Sequence, residues 1–259
     1  MLVDIFQVAP GLLLAAFFGS LIQRIAGMGF GIILSGFVLA VYEPFTAVYI
    51  GAIIGMGVTV TTMIQLRHEL RWSETLVVMP PTILGMSVGY ALAFYFGDVP
   101  WVRALFQTFG LIVIVFAGIN LIGRASLANS TLLSKTWVGG GATGFMTGTI
   151  GMPGPTIAPY FFSRGIVGTA FIASICPLFF MTSGSRIILG SGANFNETDL
   201  QIAFVGAFLA MLAVFVGGPL ARFVNTANQR RMIMALALVA AARLGISLFD
   251  GVWSAYAGL

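Results

Sequence analysis

Charged residues are scarce in this sequence of 259 residues: only 8% are Asp, Glu, Lys or Arg, whereas 59% are hydrophobic. An ordinary soluble domain has about 25% charged residues, so this composition excludes a soluble fold and predicts an integral membrane protein. Three runs of 22 residues contain no charge at all, and they are 45–66, 75–96 and 200–221. A helix of that length spans the roughly 30 Å hydrocarbon core of a bilayer. The runs do not alternate polar and apolar residues, which favours helices over barrel strands.

Histidine and cysteine are almost absent, with one of each, and no carboxylate lies deep in an apolar run. The histidine, His68, falls in a polar loop, and Cys176 falls in an apolar segment. A metal site needs several ligands, and an enzyme with a nucleophile needs a base beside it, so we expect no metal, no cofactor and no enzymatic activity. Most of the 12 basic residues are scattered among loops and helix ends. They therefore indicate membrane topology and not a nucleic-acid site.

Glycine and proline, by contrast, interrupt two of the apolar segments. The stretch T-G-T-I-G-M-P-G-P-T-I-A-P at 147–159 holds three of each, and A-G-M-G-F-G at 26–31 is a weaker version. No unbroken helix survives the stronger stretch, and backbone groups freed in hydrocarbon cost several kcal/mol each unless they are satisfied. Gly27-Met28 and Gly151-Met152 lie 124 residues apart. Broken segments at corresponding places in two halves predict a transporter's binding site, here between the two breaks near mid-membrane.

The chain divides into a first repeat at 1–123, a cytoplasmic linker at 124–136 and a second repeat at 137–259. The loop at 67–73 is basic, whereas its counterpart at 191–199 is acidic. Because basic loops stay cytoplasmic, this exchange of sign predicts two inverted repeats. The predicted fold is all-α and integral to the membrane. Each repeat has a broken hairpin, either re-entrant or of two short helices, plus three transmembrane helices. The six predicted spans are 45–66, 75–96, 103–123, 166–190, 200–221 and 232–249. Gly85 and Gly89 are spaced for close helix packing.

Arg24, Arg186 and Arg243 lie within apolar runs, where an arginine costs at least about 2.5–3.5 kcal/mol. An arginine without a carboxylate partner favours an anionic ligand, although pairing with backbone carbonyls freed by the breaks stays an alternative. The half-helices after each break add partial positive charge at their N-termini. Nearby hydroxyls are potential donors, or else they bond to carbonyls of their own helix. The candidate substrate-binding residues are Arg24, Gly27, Met28, Gly29, Gly31, Thr59, Thr62, Thr147, Thr149, Gly151, Met152, Pro153, Gly154, Ser183 and Arg186.

The paired breaks resemble those of the sulfite exporter family TauE/SafE, in which each half opens with a glycine-rich break. A-G-M-G-F-G-I-I-L and T-I-G-M-P-G-P-T-I-A-P occupy these places here, and the resemblance covers nearly the whole chain. It implies a multi-pass protein of the bacterial inner membrane that moves sulfite or organosulfonates, often outward. The expected partners are a small anion and the lipid bilayer, and a homodimer is left open. A carrier of another small anion or solute and a non-transporting scaffold remain alternatives.

Overall fold

The computed structural model describes residues 10–34, 44–96, 99, 105, 108–112, 115, 132–150, 154–190 and 197–257. The regular structure of these residues is helical, with no strand among them. The helices are α1 (Pro10–Ala26), α2 (Pro44–Gln65), α3 (Trp72–Phe96), α4 (Thr136–Ile150), α5 (Gly154–Ser163), α6 (Gly168–Gly190), α7 (Glu197–Ala221) and α8 (Thr226–Ala257). A 3-10 turn lies at Leu132–Ser134, and residues 30–34 and 108–112 are also helical.

Within the described ranges, three stretches are long and apolar enough to cross a membrane. They are Trp72–Phe96, Gly168–Ile188 and Glu197–Ala221. Pro10–Ala26 and Tyr49–Gln65 are shorter apolar helices. The helical, membrane-spanning class predicted from composition is therefore confirmed.

Several helix ends differ from the prediction. α7 begins at Glu197 and so takes in part of the predicted acidic loop, because Glu197 and Asp199 in its first turn favour a helix N-terminus. α8 begins at Thr226, because the Asn225 side chain caps it by accepting a hydrogen bond of 2.8 Å from the Asn228 N–H. Of the predicted span 103–123, only residues 105, 108–112 and 115 are described, and they are helical. Residues 124–131 of the predicted linker and 191–196 of the acidic loop lie outside the described residues.

The chain forms two compact units. The first combines Met1–Thr75 with Val167–Gln229, and the second combines Leu76–Ile166 with Arg230–Leu259. Each unit takes segments from both halves of the sequence, so these units are not the predicted repeats. The repeat boundaries and the inverted orientation stay predictions.

In the first unit, α1 packs against α7, and α2 packs against both α6 and α7. The buried core between them is apolar and includes Leu12, Ala16, Phe30, Leu34, Ile54, Val58, Ile202 and Val214. Residues 30–34 fold back beside α1. This close approach is shown at Gly19, where a Cβ would lie 3.4 Å from the Phe30 Cα and 3.5 Å from the Ile33 Cβ. The chain therefore turns sharply between Ala26 and Phe30.

The second unit is organised around the glycine-rich helix α4. α5 folds back along α4, so that the buried hydroxyls of Thr143 and Thr156 lie 2.9 Å apart. Arg164 joins the far end of this pair to the 3-10 turn by donating to the Ser134 carbonyl at 2.9 Å. Its guanidinium also lies 3.8 Å from the centre of the Tyr160 ring, a cation–π contact that helps to hold α5 in place.

Candidate functional site: an arginine-lined cavity beside the first break

The first break is made by two glycines in a conformation that other residues rarely adopt. Gly27 has φ of +90° and Gly29 has φ of +127°. The Gly27 N–H still donates to the Gln23 carbonyl at 2.7 Å, and the Gly29 carbonyl accepts from the Ile33 N–H at 2.9 Å. One helix therefore ends and the next turn begins within three residues. Met28, between the glycines, is only 1% exposed.

The break lies near the end of a neighbouring helix and not halfway along it. A Cβ on Gly27 would lie 2.8 Å from the Phe171 ring and 3.2 Å from Ile172, which are in the first turn of α6. The break therefore lies level with the start of α6, because α1 extends to Ala26. Its position near mid-membrane stays a prediction. The Gln229 amide closes this end by donating to the Ala26 carbonyl at 3.4 Å and accepting from the Gly168 N–H at 2.9 Å.

Arg24 lies in the last turn of α1 and is only 5% exposed. Its Nε donates to the side-chain oxygen of Gln65, the last residue of α2, at 3.1 Å. Its Nη1 is buried and has no hydrogen-bond partner among the described residues. Leaving a buried donor unsatisfied costs about 1–3 kcal/mol, and more when the group is charged. Arg24 therefore requires a partner that this part of the chain does not supply.

A cavity of about 370 Å³ lies beside Arg24 in the first unit. It is formed where the ends of α1, α2 and α7 meet the start of α6. Its lining residues are Arg24, Gln65, Leu66, Thr169, Phe215, Gly218, Pro219, Ala221 and Arg222. Among the residues that the structure describes, this lining contains two arginines and no acidic residue, so it favours a negatively charged occupant.

Two glycines of α7 give Arg24 the room that it occupies. A Cβ on Gly217 would lie 2.9 Å from the Arg24 Cγ, which is too close for a real side chain. A Cβ on Gly218 would lie 3.6 Å from both the Arg24 Nη2 and the Gln65 Oε1. Arg24 and Gln65 therefore lie as a pair against the bare backbone of α7.

The cavity lies at the basic end of the first unit. Arg67 and Arg71 follow directly after the end of α2, and Arg222 follows α7. The opposite end of α7 starts with Glu197 and Asp199. Arginines therefore outnumber the acidic residues Glu69 and Glu74 at the cavity end, whereas the opposite end of α7 is acidic.

The predicted hydroxyl donors are already used within their own helices. Thr59 donates to the Gly55 carbonyl at 3.0 Å, Thr62 to Val58 at 2.7 Å, Thr147 to Thr143 at 2.7 Å and Thr149 to Phe145 at 2.8 Å. A hydroxyl has a single proton, so each of these would have to leave its carbonyl before it could donate to an anion. The alternative of bonding within the helix is therefore confirmed for all four.

The other predicted residues are dispersed. Ser183 is buried on α6, with its Oγ 3.3 Å from the position of a Cβ on Gly55, and Arg186 is half-buried on the same helix. Gly31 is helical, and Gly154 begins α5. Gly151, Met152, Pro153 and the side chain of Arg243 lie outside the described residues. Because the second break belongs to the other compact unit, a site between the two breaks stays a prediction.

A family model described as sulfite exporter TauE/SafE matches residues 12–244, nearly the whole chain. The chain belongs to the TauE/SafE family. It is therefore a member of a family of membrane transporters for sulfur anions. No curated protein and no solved structure matches it. The TauE/SafE match includes both breaks and every residue that lines the cavity, so the site lies within the part of the chain that the family shares.

Sequence reasoning found Arg24 but missed Gln65, Thr169 and Arg222. Arg222 is basic and follows an apolar helix, and it was interpreted only as a signal of topology. Gln65 carried a usable signal, because it is a long polar side chain in the last turn of a TauE/SafE helix that contains no charged residue. Nothing in the sequence, however, indicates that the ends of α1, α2 and α7 meet.

Proposed function

We propose that this TauE/SafE protein exports small sulfur-containing anions, such as sulfite or organosulfonates, and that Arg24 binds the anion. The observation that carries the proposal is the buried guanidinium of Arg24 beside the cavity. Among the described residues, its Nη1 has no hydrogen-bond partner and the cavity lining has no acidic side chain. Oxyanions suit such a group, because charge-assisted hydrogen bonds from a guanidinium to anionic oxygen are about twice as strong as neutral ones.

The charge at the two ends of the first unit supports a cytoplasmic opening for the cavity. Basic residues near short loops stay in the cytoplasm, so the end that carries Arg67, Arg71 and Arg222 is the cytoplasmic end. The cavity at that end is where an exporter would take up its substrate. Moving one negative charge out of an inside-negative cell releases about 2.3 kcal/mol per 100 mV, so export needs no coupling ion. The predicted site between the two breaks remains part of this proposal, as a later point on the path.

The test is binding of sulfite, sulfate and methanesulfonate to purified protein in detergent, measured as thermal stabilisation. A ligand that binds only the folded state raises its stability by mass action. We expect at least one of these anions to stabilise the wild type. We expect Arg24→Gln to weaken its binding at least about tenfold, which corresponds to the loss of one charge-assisted hydrogen bond.

Arg67→Gln is the matched control, because it removes the same charge from the same end of the first unit. Arg67 is exposed and does not line the cavity among the described residues. We expect its anion affinity to stay within about twofold of the wild type, as for an exposed charge away from the site. Equal losses in both variants would show a general charge effect and would contradict the site. A wild type stabilised by neutral or cationic solutes only, or one without anion flux in proteoliposomes, would favour the other carriers or the scaffold.

A further inference from the structure

The side chain that holds Arg24 is a neutral one. An arginine side chain has only donors, so Gln65 must present its amide oxygen to the Arg24 Nε, at 3.1 Å. The orientation of the amide therefore follows from the chemistry of its partner. The hydrogen bond restrains the guanidinium without contributing any negative charge.

This pairing is unusual for a buried arginine, because buried charges are normally paired with an opposite charge. A carboxylate at position 65 would satisfy the same Nε and would also cancel the charge of Arg24. A glutamine of nearly the same shape satisfies one N–H and leaves the full positive charge in place. Among the described residues of the cavity wall, no acidic residue cancels the positive charge of Arg24.

The packing around the pair shows that its position is built into the fold. Gly217 and Gly218 leave the α7 backbone bare where Arg24 and Gln65 lie, and a side chain at Gly217 would displace the Arg24 stem. Ordered water could accept a hydrogen bond from Nη1, but water carries no charge. The described residues that line the cavity therefore supply no counter-charge to Arg24, and an anionic solute would supply one.

We propose that Gln65 is the residue that selects for anions in this cavity, because it positions Arg24 through a hydrogen bond while leaving its charge uncompensated. Gln65 acts through Arg24 and is a positioning residue. The inference rests on the proposed function, since it takes Arg24 to be the group that binds the transported anion. It predicts that the charge at position 65 has a larger effect on anion binding than the ability of that residue to accept a hydrogen bond.

The experiment compares Gln65→Glu with Gln65→Met, using sulfate as the probe in the thermal stabilisation assay. Gln65→Glu keeps an acceptor for Arg24 and adds a counter-charge, so we expect the ligand-free melting temperature to stay equal or rise while sulfate binding falls at least about tenfold. Gln65→Met removes the acceptor but stays neutral. We expect a lower ligand-free melting temperature with sulfate affinity within about fivefold of the wild type.

Gln201→Glu is the control for added negative charge, because Gln201 lies half-buried near the acidic start of α7, away from the cavity. We expect it to bind sulfate as the wild type does. A structural role for Gln65 alone predicts the reverse order, with the Met variant losing more affinity than the Glu variant, and that order would overturn the inference. So would a Glu variant with a lower ligand-free melting temperature, since the predicted ion pair would then be absent.

The two proposals fail in different ways. If wild type and Arg24→Gln differ in anion binding but Gln65→Glu binds like the wild type, the proposed function stands and the role of Gln65 is wrong. If none of the anions stabilises the wild type, the proposed function fails, and the inference that rests on it fails too.

Discussion

Arg24 and Gly27 lie within four residues of each other and have different roles. Arg24 supplies charge, which the sequence shows directly, because an arginine in an apolar run is conspicuous. Gly27 supplies a backbone conformation, and it does so where no side chain fits, with the Phe171 ring 2.8 Å from the position of a Cβ. This short segment therefore combines one costly buried charge with a turn that only glycine allows.

Gly27→Ala is expected to destabilise the fold by at least about 2 kcal/mol, because a left-handed backbone costs a non-glycine residue about 1–2 kcal/mol before the clash with Phe171 is added. The measurement is the melting temperature in detergent. Gly165→Ala is the matched control, since Gly165 has φ of +70° but nothing within 4 Å of its Cβ position. It should show the backbone cost alone. Equal losses in the two variants would show that Phe171 moves aside freely.

At the scale of elements, the helices of the second unit depend on backbone contact between α3 and α4. Gly144 faces the Thr82 carbonyl and the Met86 N–H, and Gly148 faces Met86 and Tyr90. A Cβ at either position would meet backbone atoms, which cannot rotate away. On the α3 side, Gly85 and Gly89 face the backbone of Gly141 and Phe145, which confirms the packing role predicted for them. Small residues at four-residue spacing allow this approach in membrane helices generally.

Gly144→Ala is expected to separate α3 from α4 and to lower stability by at least about 2 kcal/mol, as for overpacking against rigid atoms. Gly141→Ala, on the same helix, provides the comparison. Its Cβ would meet only the Pro81 carbonyl at 4.0 Å, and alanine favours a helix by about 1 kcal/mol over glycine. Thermal unfolding of both variants measures the difference. An unchanged melting temperature for Gly144→Ala would contradict backbone contact between the helices.

At the scale of the whole molecule, the orientation of the two repeats decides which end of the first unit faces the cytoplasm. The loop after α2 carries Arg67 and Arg71, and its predicted counterpart in the second repeat includes Glu197, the first residue of α7. Within the first compact unit, the end of α2 lies beside the C-terminal end of α7, opposite to Glu197. Inverted repeats predict this placement, and the orientation itself stays a proposal. Under the positive-inside rule, we expect the cavity end to face the cytoplasm.

Cysteine labelling from each side of the membrane tests this orientation. Cys176 is the single cysteine of the sequence, so a Cys176→Ala variant contains no native thiol that could react. In that background we expect His68→Cys to react only with reagent on the cytoplasmic side. We expect Thr198→Cys to react only with reagent outside, because both positions are exposed at opposite ends of the unit. Labelling of both from one side would contradict the inverted repeats and the direction of export together.

Local sequence features were enough to predict the membrane class, the helical fold, the family and the residues of the first break. Each of these depends on local chemistry, namely apolar length, glycine and proline content, and a charge within hydrocarbon. The tertiary structure alone decided which residues surround Arg24. Gln65, Gly217 and Arg222 come from distant parts of the chain, and each is ordinary in its own segment. A hydrophobic pattern predicts whether a residue faces lipid or the protein core, but it does not predict which helix ends lie next to each other. For that reason the charge could be predicted and its neutral partner could not.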